Sequence, residues 1–214
     1  MNFSLMFKKS ARIISAIFIL LTIPVCLCSC SNQAVYRVIS MSWISGDSAT
    51  AITDFTYTED NKPASVSVVY PLAYSHNYKD VYSYNKHGNM ISCTRTFNDM
   101  TKQEYTAKKI TDNKYILYDQ NQKEYLTVIF DNGGFIVSYR YASGYVIEYS
   151  FTYDENGKPV SFKKLDIRPS GSRQIIDYTI RFKDDNTFCM YNTEDTENTD
   201  EYYEVKYQKI NVKG

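Results

Sequence analysis

One short pattern recurs through most of the chain: two aromatic residues, a polar turn, and then a new alternating segment. Its fullest copy spans residues 151–162 and reads FTYDENGKPVSF. In such turns Asp and Asn side chains hydrogen-bond to their own backbone, and Gly adopts the left-handed conformation that a tight turn needs. The pattern therefore predicts β-hairpins that follow one another along the chain, which restricts the fold to a sheet of sequential neighbours.

Further copies of this pattern occur before and after the fullest one. Residues 55–66 and 82–93 align with it without a gap, residues 116–127 fit more loosely, and the weakest copies begin at Val128 and Ile180. Most of their aromatic anchors are 23 to 34 residues apart, which allows two strands per repeat. One 12-residue step predicts that two of the turns lie at opposite ends of the sheet. The anchors are Tyr57, Tyr84, Tyr118, Phe130, Tyr153 and Phe182.

The segments between the turns alternate with the period of a strand. Apolar and aromatic residues at every second position from Tyr145 to Tyr153 share one face, and polar residues share the other. Strand signals recur from about residue 51 to residue 212 and predict about 11–13 strands. Because flat open sheets of this size are rare, we predict an all-β fold, an antiparallel β-meander curved into an open or closed barrel. Lys and Arg on the strand faces disfavour a membrane-spanning barrel.

The turn Tyr-Asp-x-Asn-Gly-Lys at residues 153–158 resembles the YD, or Rhs-type, repeat. The layout of residues 50–190 is similar to that of the Tyr-rich β-meander lipoproteins of unknown function from Bacteroidetes. Several copies lack the Asp or the Gly, so the resemblance does not imply the closed cocoon of large Rhs toxins. It implies a hairpin-repeat fold and no catalytic residue that could be assigned to this chain.

The first thirty residues have the order of a bacterial lipoprotein signal peptide. Three basic residues precede a 16-residue apolar run that ends at Cys28, and the small residue Ser29 stands before Cys30. This ending resembles a lipobox, which implies cleavage before Cys30 and a diacylglyceryl group on its sulfur. The apolar run is shorter than the roughly 20 residues of a spanning helix. An uncleaved anchor or an ordinary secretory signal is the alternative.

These features divide the chain into three expected segments. Residues 1–29 are the lipoprotein signal peptide, residues 30–48 a lipidated N-terminus and tether, and residues 49–214 a single Tyr-rich meander domain. The lipid would make the membrane a partner and place the protein in the cell envelope. By resemblance to gram-negative lipoproteins, the absence of Asp after Cys30 favours the outer membrane. The absence of an acidic tract there favours its periplasmic face.

The charge balance argues against nucleic acid as a partner. Removal of residues 1–29 takes away three basic residues and no acids, which leaves 21 Lys and Arg against 24 Asp and Glu. The mature chain is therefore slightly acidic, and its sequence shows no basic patch of the kind that binds phosphates.

Cys93 and Cys189 are the cysteines that remain beside Cys30 after cleavage. Each falls in the strand that follows a repeat turn, so a disulfide between them is possible if their Cα atoms come within about 7 Å. The alternative is two small buried hydrophobic side chains, which is how free cysteines usually behave.

The sequence offers no catalytic or metal site, so we predict neither an enzyme nor a cofactor. His76 and His87 lie in or beside turns and have no nucleophile in a recognisable pattern. Zinc-type spacing is absent. The acidic run at residues 194–201 could attract calcium, but it lacks the glycine and the closing acid of a calcium loop, which favours a solvated loop.

The abundance of tyrosine, 21 residues, suggests the function. Tyrosine has an apolar ring and a polar tip, and it is common where proteins contact sugars or other proteins. We therefore expect a lipid-anchored, non-enzymatic binding or scaffolding module that presents a Tyr-rich sheet to a glycan or an envelope protein. The alternative is a periplasmic carrier of lipid or another apolar ligand, which needs an apolar cavity in an open barrel.

Overall fold

The computed structural model describes residues 33–155, 158–194 and 200–212. The expected signal peptide and Cys30 lie outside these residues. The described chain forms fourteen strands and one 3-10 turn, Tyr74–His76, and contains no helix long and apolar enough to cross a membrane. Val35–Ile210 form one compact unit. The strands are β1 (Gln33–Ser45), β2 (Ser48–Tyr57), β3 (Pro63–Val69), β4 (Tyr78–Tyr84), β5 (Met90–Phe97), β6 (Lys102–Thr111), β7 (Lys114–Tyr118), β8 (Glu124–Phe130), β9 (Ile136–Tyr141), β10 (Val146–Tyr153), β11 (Pro159–Ile167), β12 (Arg173–Asp184), β13 (Thr187–Asn192) and β14 (Glu201–Val212).

The strands form a closed antiparallel meander, which confirms the predicted fold class. Each strand pairs with the next along the chain, and β1 pairs with β14 to close the barrel. Closure removes the exposed edges that an open sheet would present to other chains. The strand β1 falls within residues 30–48, which we expected to be a tether; the structure instead makes it part of the barrel wall.

The meander places alternate connections at opposite ends of the barrel. We call the end with the β2–β3, β4–β5, β6–β7, β8–β9, β10–β11 and β12–β13 turns the repeat end, and the other end the loop end. Five of the six aromatic anchors lie at or near the repeat end, whereas Tyr118 precedes the β7–β8 turn at the loop end. The short step from Tyr118 to Phe130 therefore joins opposite ends, as predicted.

Contacts at the repeat end explain why the turn pattern contains a lysine and an aromatic anchor. The Lys62 ammonium lies 5.6 Å from the ring centroid of Tyr84, the anchor of the next turn at this end. The Tyr84 hydroxyl donates a 2.7 Å hydrogen bond back to the Pro63 carbonyl. The Lys158 ammonium lies 3.6 Å from the ring of Phe182 in the same way. Cation–π attraction thus connects each of these turns to its successor.

The β8–β9 turn folds into the barrel and meets the opposite wall. Its residue Phe135 is 3% exposed, and its ring lies 5.3 Å from that of Phe55 on β2. The strands β2 and β9 are seven places apart in a ring of fourteen, so this contact spans the interior. A barrel of this size is too wide to be filled by side chains if it stays round, and the contact narrows it at the repeat end.

Buried side chains fill the interior on both sides of this contact. One cluster draws on β3–β9 and the other on β1, β11–β14 and Phe135, and Phe55 packs against both. A void among the second cluster, beside Phe151 and Phe188, has a volume of only about 10 Å³. That is barely the space of one water molecule. The repeat end is therefore packed, and the apolar cavity that a lipid carrier needs is not found among these residues.

Asp131 gives the inward turn its shape and makes stability depend on pH. Its Oδ1 accepts hydrogen bonds of 2.9 Å from the backbone N–H groups of Gly133 and Phe135. Burial nevertheless raises the pKa of the Asp131 carboxyl, because it outweighs these hydrogen bonds. The folded protein therefore holds this proton more tightly than the unfolded chain does. The free energy of unfolding falls as the pH rises from the unfolded pKa through the folded pKa of this carboxyl.

We expect Asp131→Asn to be at least as stable as the wild type at neutral pH, because the amide oxygen still accepts both hydrogen bonds without a charge. Asp131→Ala should lose about 1–2 kcal/mol, because it leaves two buried N–H groups unpaired. Urea unfolding at several pH values measures both. The advantage of the Asn variant should shrink as the pH falls, and an advantage that grows instead would contradict the assignment.

Candidate functional site

The inner wall of the barrel changes character toward the loop end. Directly paired residues share a face, so Tyr139 faces inward with its partner Val128, which is 0% exposed. The next inward residue of β9 is Tyr141, while Tyr78 and Tyr149 face inward on β4 and β10. Together with Tyr203 on β14 they form what we call the tyrosine lumen. Its rings are all half-buried and pack against the two core clusters, as Phe55 and Phe151 do toward the repeat end, and they differ from those rings by their hydroxyl groups.

The rings of the tyrosine lumen come from distant strands and still influence one another. Burial raises the pKa of Tyr139 well above its ordinary value, and Tyr78 and Tyr149 raise it further. The strands β4 and β10, which carry those two residues, are six places apart in the ring. Tyr139 is thus surrounded by protein and yet keeps accessible surface. We interpret such a ring as the lining of a space that opens toward the loop end.

A buried ion pair anchors one wall of this space. The Arg95 guanidinium donates two hydrogen bonds of 2.7 Å to the two carboxylate oxygens of Asp80 on the neighbouring strand. Its Cζ atom lies 4.2 Å from the ring centroid of Tyr78, and its Nη1 donates a 3.2 Å hydrogen bond to the Tyr125 hydroxyl. Because a bidentate guanidinium has a fixed geometry, this pair holds two tyrosine rings in place.

A second ion pair, on β11, faces the same space. The Lys164 ammonium lies 3.0 Å from Oδ2 of Asp166. Burial raises the pKa of the Tyr149 and Tyr203 hydroxyls, and the nearby charge of Asp166 raises it further. Both rings therefore lie close to the ion pair. The other carboxylate oxygen, Oδ1, is buried and has no hydrogen-bond partner in the described part of the chain. Unlike the Arg95–Asp80 pair, this one keeps hydrogen-bonding capacity.

Trp43 lies at the rim of the tyrosine lumen. It stands two residues before the end of β1 at the loop end, and its side chain is 41% exposed. Its ring stacks on Tyr203 with a centroid distance of 6.4 Å and an interplanar angle of 28°. Trp43 is therefore an exposed aromatic platform beside the lumen.

The tyrosines do not form the outward face that the sequence suggested. Among those whose side chains are described, only Tyr74 and Tyr153 are exposed. The alternation from Tyr145 to Tyr153 correctly groups the aromatic residues on one face of β10, but that face is the interior. The lumen residues Arg95, Asp80 and Lys164 were missed, because a charged residue in a strand usually faces solvent.

The two cysteines with a possible disulfide are both free and buried. Cys93 lies on β5 and Cys189 on β13, which are six places apart in the ring. Successive side chains of a strand point to opposite faces, so Cys189 points away from the interior that Phe188 and Met190 fill, whereas Cys93 belongs to the core inside the barrel. The structure therefore favours the reading of two separate buried hydrophobic side chains.

The other candidate residues do not assemble into a site. His76 and His87 are exposed, in the 3-10 turn and in the β4–β5 turn. Residues 195–199 of the acidic run lie outside the described residues, and the described ones contain no group of three His, Cys, Asp or Glu side chains that could hold a metal ion. The Cys30 prediction also lies outside them.

A surface cleft of about 520 Å³ lies beside Ser75, Phe97 and Asp99 at the loop end. One carboxylate oxygen there, Oδ1 of Asp99, accepts hydrogen bonds from the hydroxyl and the backbone N–H of Thr101. No protein-family model and no curated protein matches the chain.

Proposed function

We propose that this protein is a non-enzymatic binding module that holds a small carbohydrate in the tyrosine lumen. The observation that carries the proposal is the half-buried state of inward-facing rings around two ion pairs. Tyrosine rings offer flat apolar faces to the C–H groups of a sugar, and their hydroxyls bind its polar edge. A largely aromatic wall with a few fixed polar groups is typical of small-molecule sites.

The same features favour a carbohydrate over the other expected partners. A folded protein would need rings on the outer surface, where few tyrosines lie. An apolar ligand beside the Lys164–Asp166 pair would leave the buried Oδ1 of Asp166 without a hydrogen bond, which costs free energy. A sugar hydroxyl can donate one to it. The carboxylates of the lumen are each paired with a cation, which suits binding better than proton transfer.

The test is a binding measurement on the full chain in detergent. Glucose-, galactose-, mannose- and xylose-based oligosaccharides are screened on an array, and binders are titrated by calorimetry. Trp43→Ala should weaken binding about tenfold, or about 1.4 kcal/mol, because it removes the stacking platform. Tyr74→Ala is the control, because this exposed ring lies at the same end on the 3-10 turn. Equal weakening by both variants would contradict the site.

A negative screen would overturn the proposal for these sugars. The decisive companion measurement is displacement of a fluorescent fatty acid. One combination of results would identify the protein as the apolar carrier instead. In it the fatty acid binds, no oligosaccharide binds, and Trp43→Ala weakens the binding of the fatty acid.

We also propose that Cys30 carries the lipid that anchors the protein in the cell envelope, at the periplasmic face of the outer membrane. In a gram-negative host fed a clickable palmitate analogue, the wild-type chain should become labelled. Cys30→Ser should abolish the label, because the acyl groups need this residue. Cys28→Ser is the matched control and should label normally. Label on the Cys30→Ser variant would refute the assignment.

A further inference from the structure

We infer that the tyrosine lumen is a blind pocket that binds the end of a glycan chain or a short oligosaccharide, and that it rejects internal segments of a polymer. This inference rests on the proposed carbohydrate function and specifies which part of the ligand is bound. It follows from the contrast between the two ends of the barrel.

The repeat end closes the interior beneath the lumen. Phe135 reaches Phe55 on the opposite wall, and the core beside them has Phe162 and Phe188 at 2% and 1% exposure. The 10 Å³ void among these side chains is too small for any sugar. A chain that enters at the loop end therefore has no exit at the repeat end.

On β4 and β14 the inward side chains change from half-buried to buried toward the repeat end. On β14 Tyr203 is half-buried, while Val205, the next inward residue, is 0% exposed. On β4 Tyr78 is half-buried, and the following inward residues Asp80 and Tyr82 are buried. Successive inward residues are about 6.6 Å apart along a strand. The floor of the pocket therefore lies level with Val205 and Asp80.

The depth of the pocket suits a short ligand. Four residues separate the start of β14 at Glu201 from Val205, which is about 13 Å of extended strand. With a strand tilt of about 40° the depth along the barrel axis is about 10 Å. A mono- or disaccharide unit fits that depth, and a longer chain must project past Trp43 into solvent.

The polar groups of the wall also favour a chain end. Lys164 and Asp166 face the lumen as an adjacent donor and acceptor, which matches two neighbouring hydroxyl groups of one sugar ring. A terminal ring keeps hydroxyls that an internal ring uses in its glycosidic bonds. Only the terminal ring can present them while the rest of the chain leads away through a single opening.

The experiment uses the wild-type full chain and the linear oligosaccharide panel described above, at lengths of two to six units. Each sugar is prepared free, with a bulky group on the reducing end, with one on the non-reducing end, and with both. Cyclic glucose oligomers represent a chain without ends. Trp43 is the only tryptophan, so its fluorescence reports occupancy at the rim.

Blocking one particular end should weaken binding about tenfold or more, and blocking the other should leave it nearly unchanged. Sugars blocked at both ends and cyclic sugars should not bind, and affinity should level off beyond a few units. Equal binding of free, doubly blocked and cyclic sugars would overturn the blind pocket and leave the carbohydrate function standing. If no form of any sugar binds, the proposed function fails and this inference falls with it.

Discussion

Gly134→Ala should destabilise the barrel by about 3 kcal/mol or more, the largest effect that we expect from adding one carbon atom. Gly134 lies in the inward β8–β9 turn with φ of +82°. A Cβ atom there would overlap the backbone carbonyl oxygen of Asn61 and lie 3.2 Å from the ring of Tyr57. Because the obstacle is backbone, it cannot rotate away, and the turn that narrows the repeat end must shift.

Gly171→Ala separates the overlap from the backbone strain. Gly171 has nearly the same φ, +83°, but nothing lies within 4 Å of its added Cβ. Its substitution should therefore cost only the left-handed strain of an L-residue, about 1–2 kcal/mol. Urea unfolding followed by circular dichroism compares the two variants. Equal losses of unfolding free energy in the two variants would contradict the overlap between the β8–β9 turn and Asn61.

Asp80→Asn should destabilise the protein by about 3–5 kcal/mol, because it leaves the buried Arg95 guanidinium without its counter-charge. The two side chains are 6% and 11% exposed, so water cannot replace the lost partner. Since Arg95 also holds Tyr78 and Tyr125, near-ultraviolet circular dichroism should lose intensity even where the variant remains folded. Denaturant unfolding gives the free-energy difference.

Two further variants make this prediction specific. The double variant Asp80→Leu with Arg95→Met should be more stable than Asp80→Asn, because it removes the unpaired charge and keeps apolar packing. Asp177→Asn breaks the Lys163–Asp177 pair, whose side chains are 53% and 52% exposed, and should cost less than about 0.5 kcal/mol. A similar loss for Asp80→Asn and Asp177→Asn would refute the structural role of the buried pair.

The fold was largely predictable because its signals are local. The turn at residues 153–158 and its copies predict hairpins from four to six adjacent residues, and the step from Tyr118 to Phe130 correctly separates the two ends of the sheet. The strand count was underestimated partly because β1, Gln33–Ser45, precedes the range of residues 51–212 over which strands were counted. Its pairing with β14, 156 or more residues away, is a property of the closed barrel alone.

The candidate site was much less predictable. The tyrosines were recognised as the chemically distinctive residues, but their direction was not, since alternation separates two faces without saying which is inside. Arg95 and Asp80 are 15 residues apart in the chain and are brought together by the pairing of β4 with β5. Nothing in their local sequence marks them as buried.

By itself the sequence determined the class of structure: an all-β chain whose turns join consecutive antiparallel strands. These features depend on side-chain period and turn chemistry, which act over a few residues. The tertiary structure decided that the sheet closes, that the aromatic face points inward, and that Phe135 packs against Phe55 while the tyrosine lumen stays accessible. Those properties depend on which distant strands meet and in what register, and interactions between neighbours in the chain do not specify them.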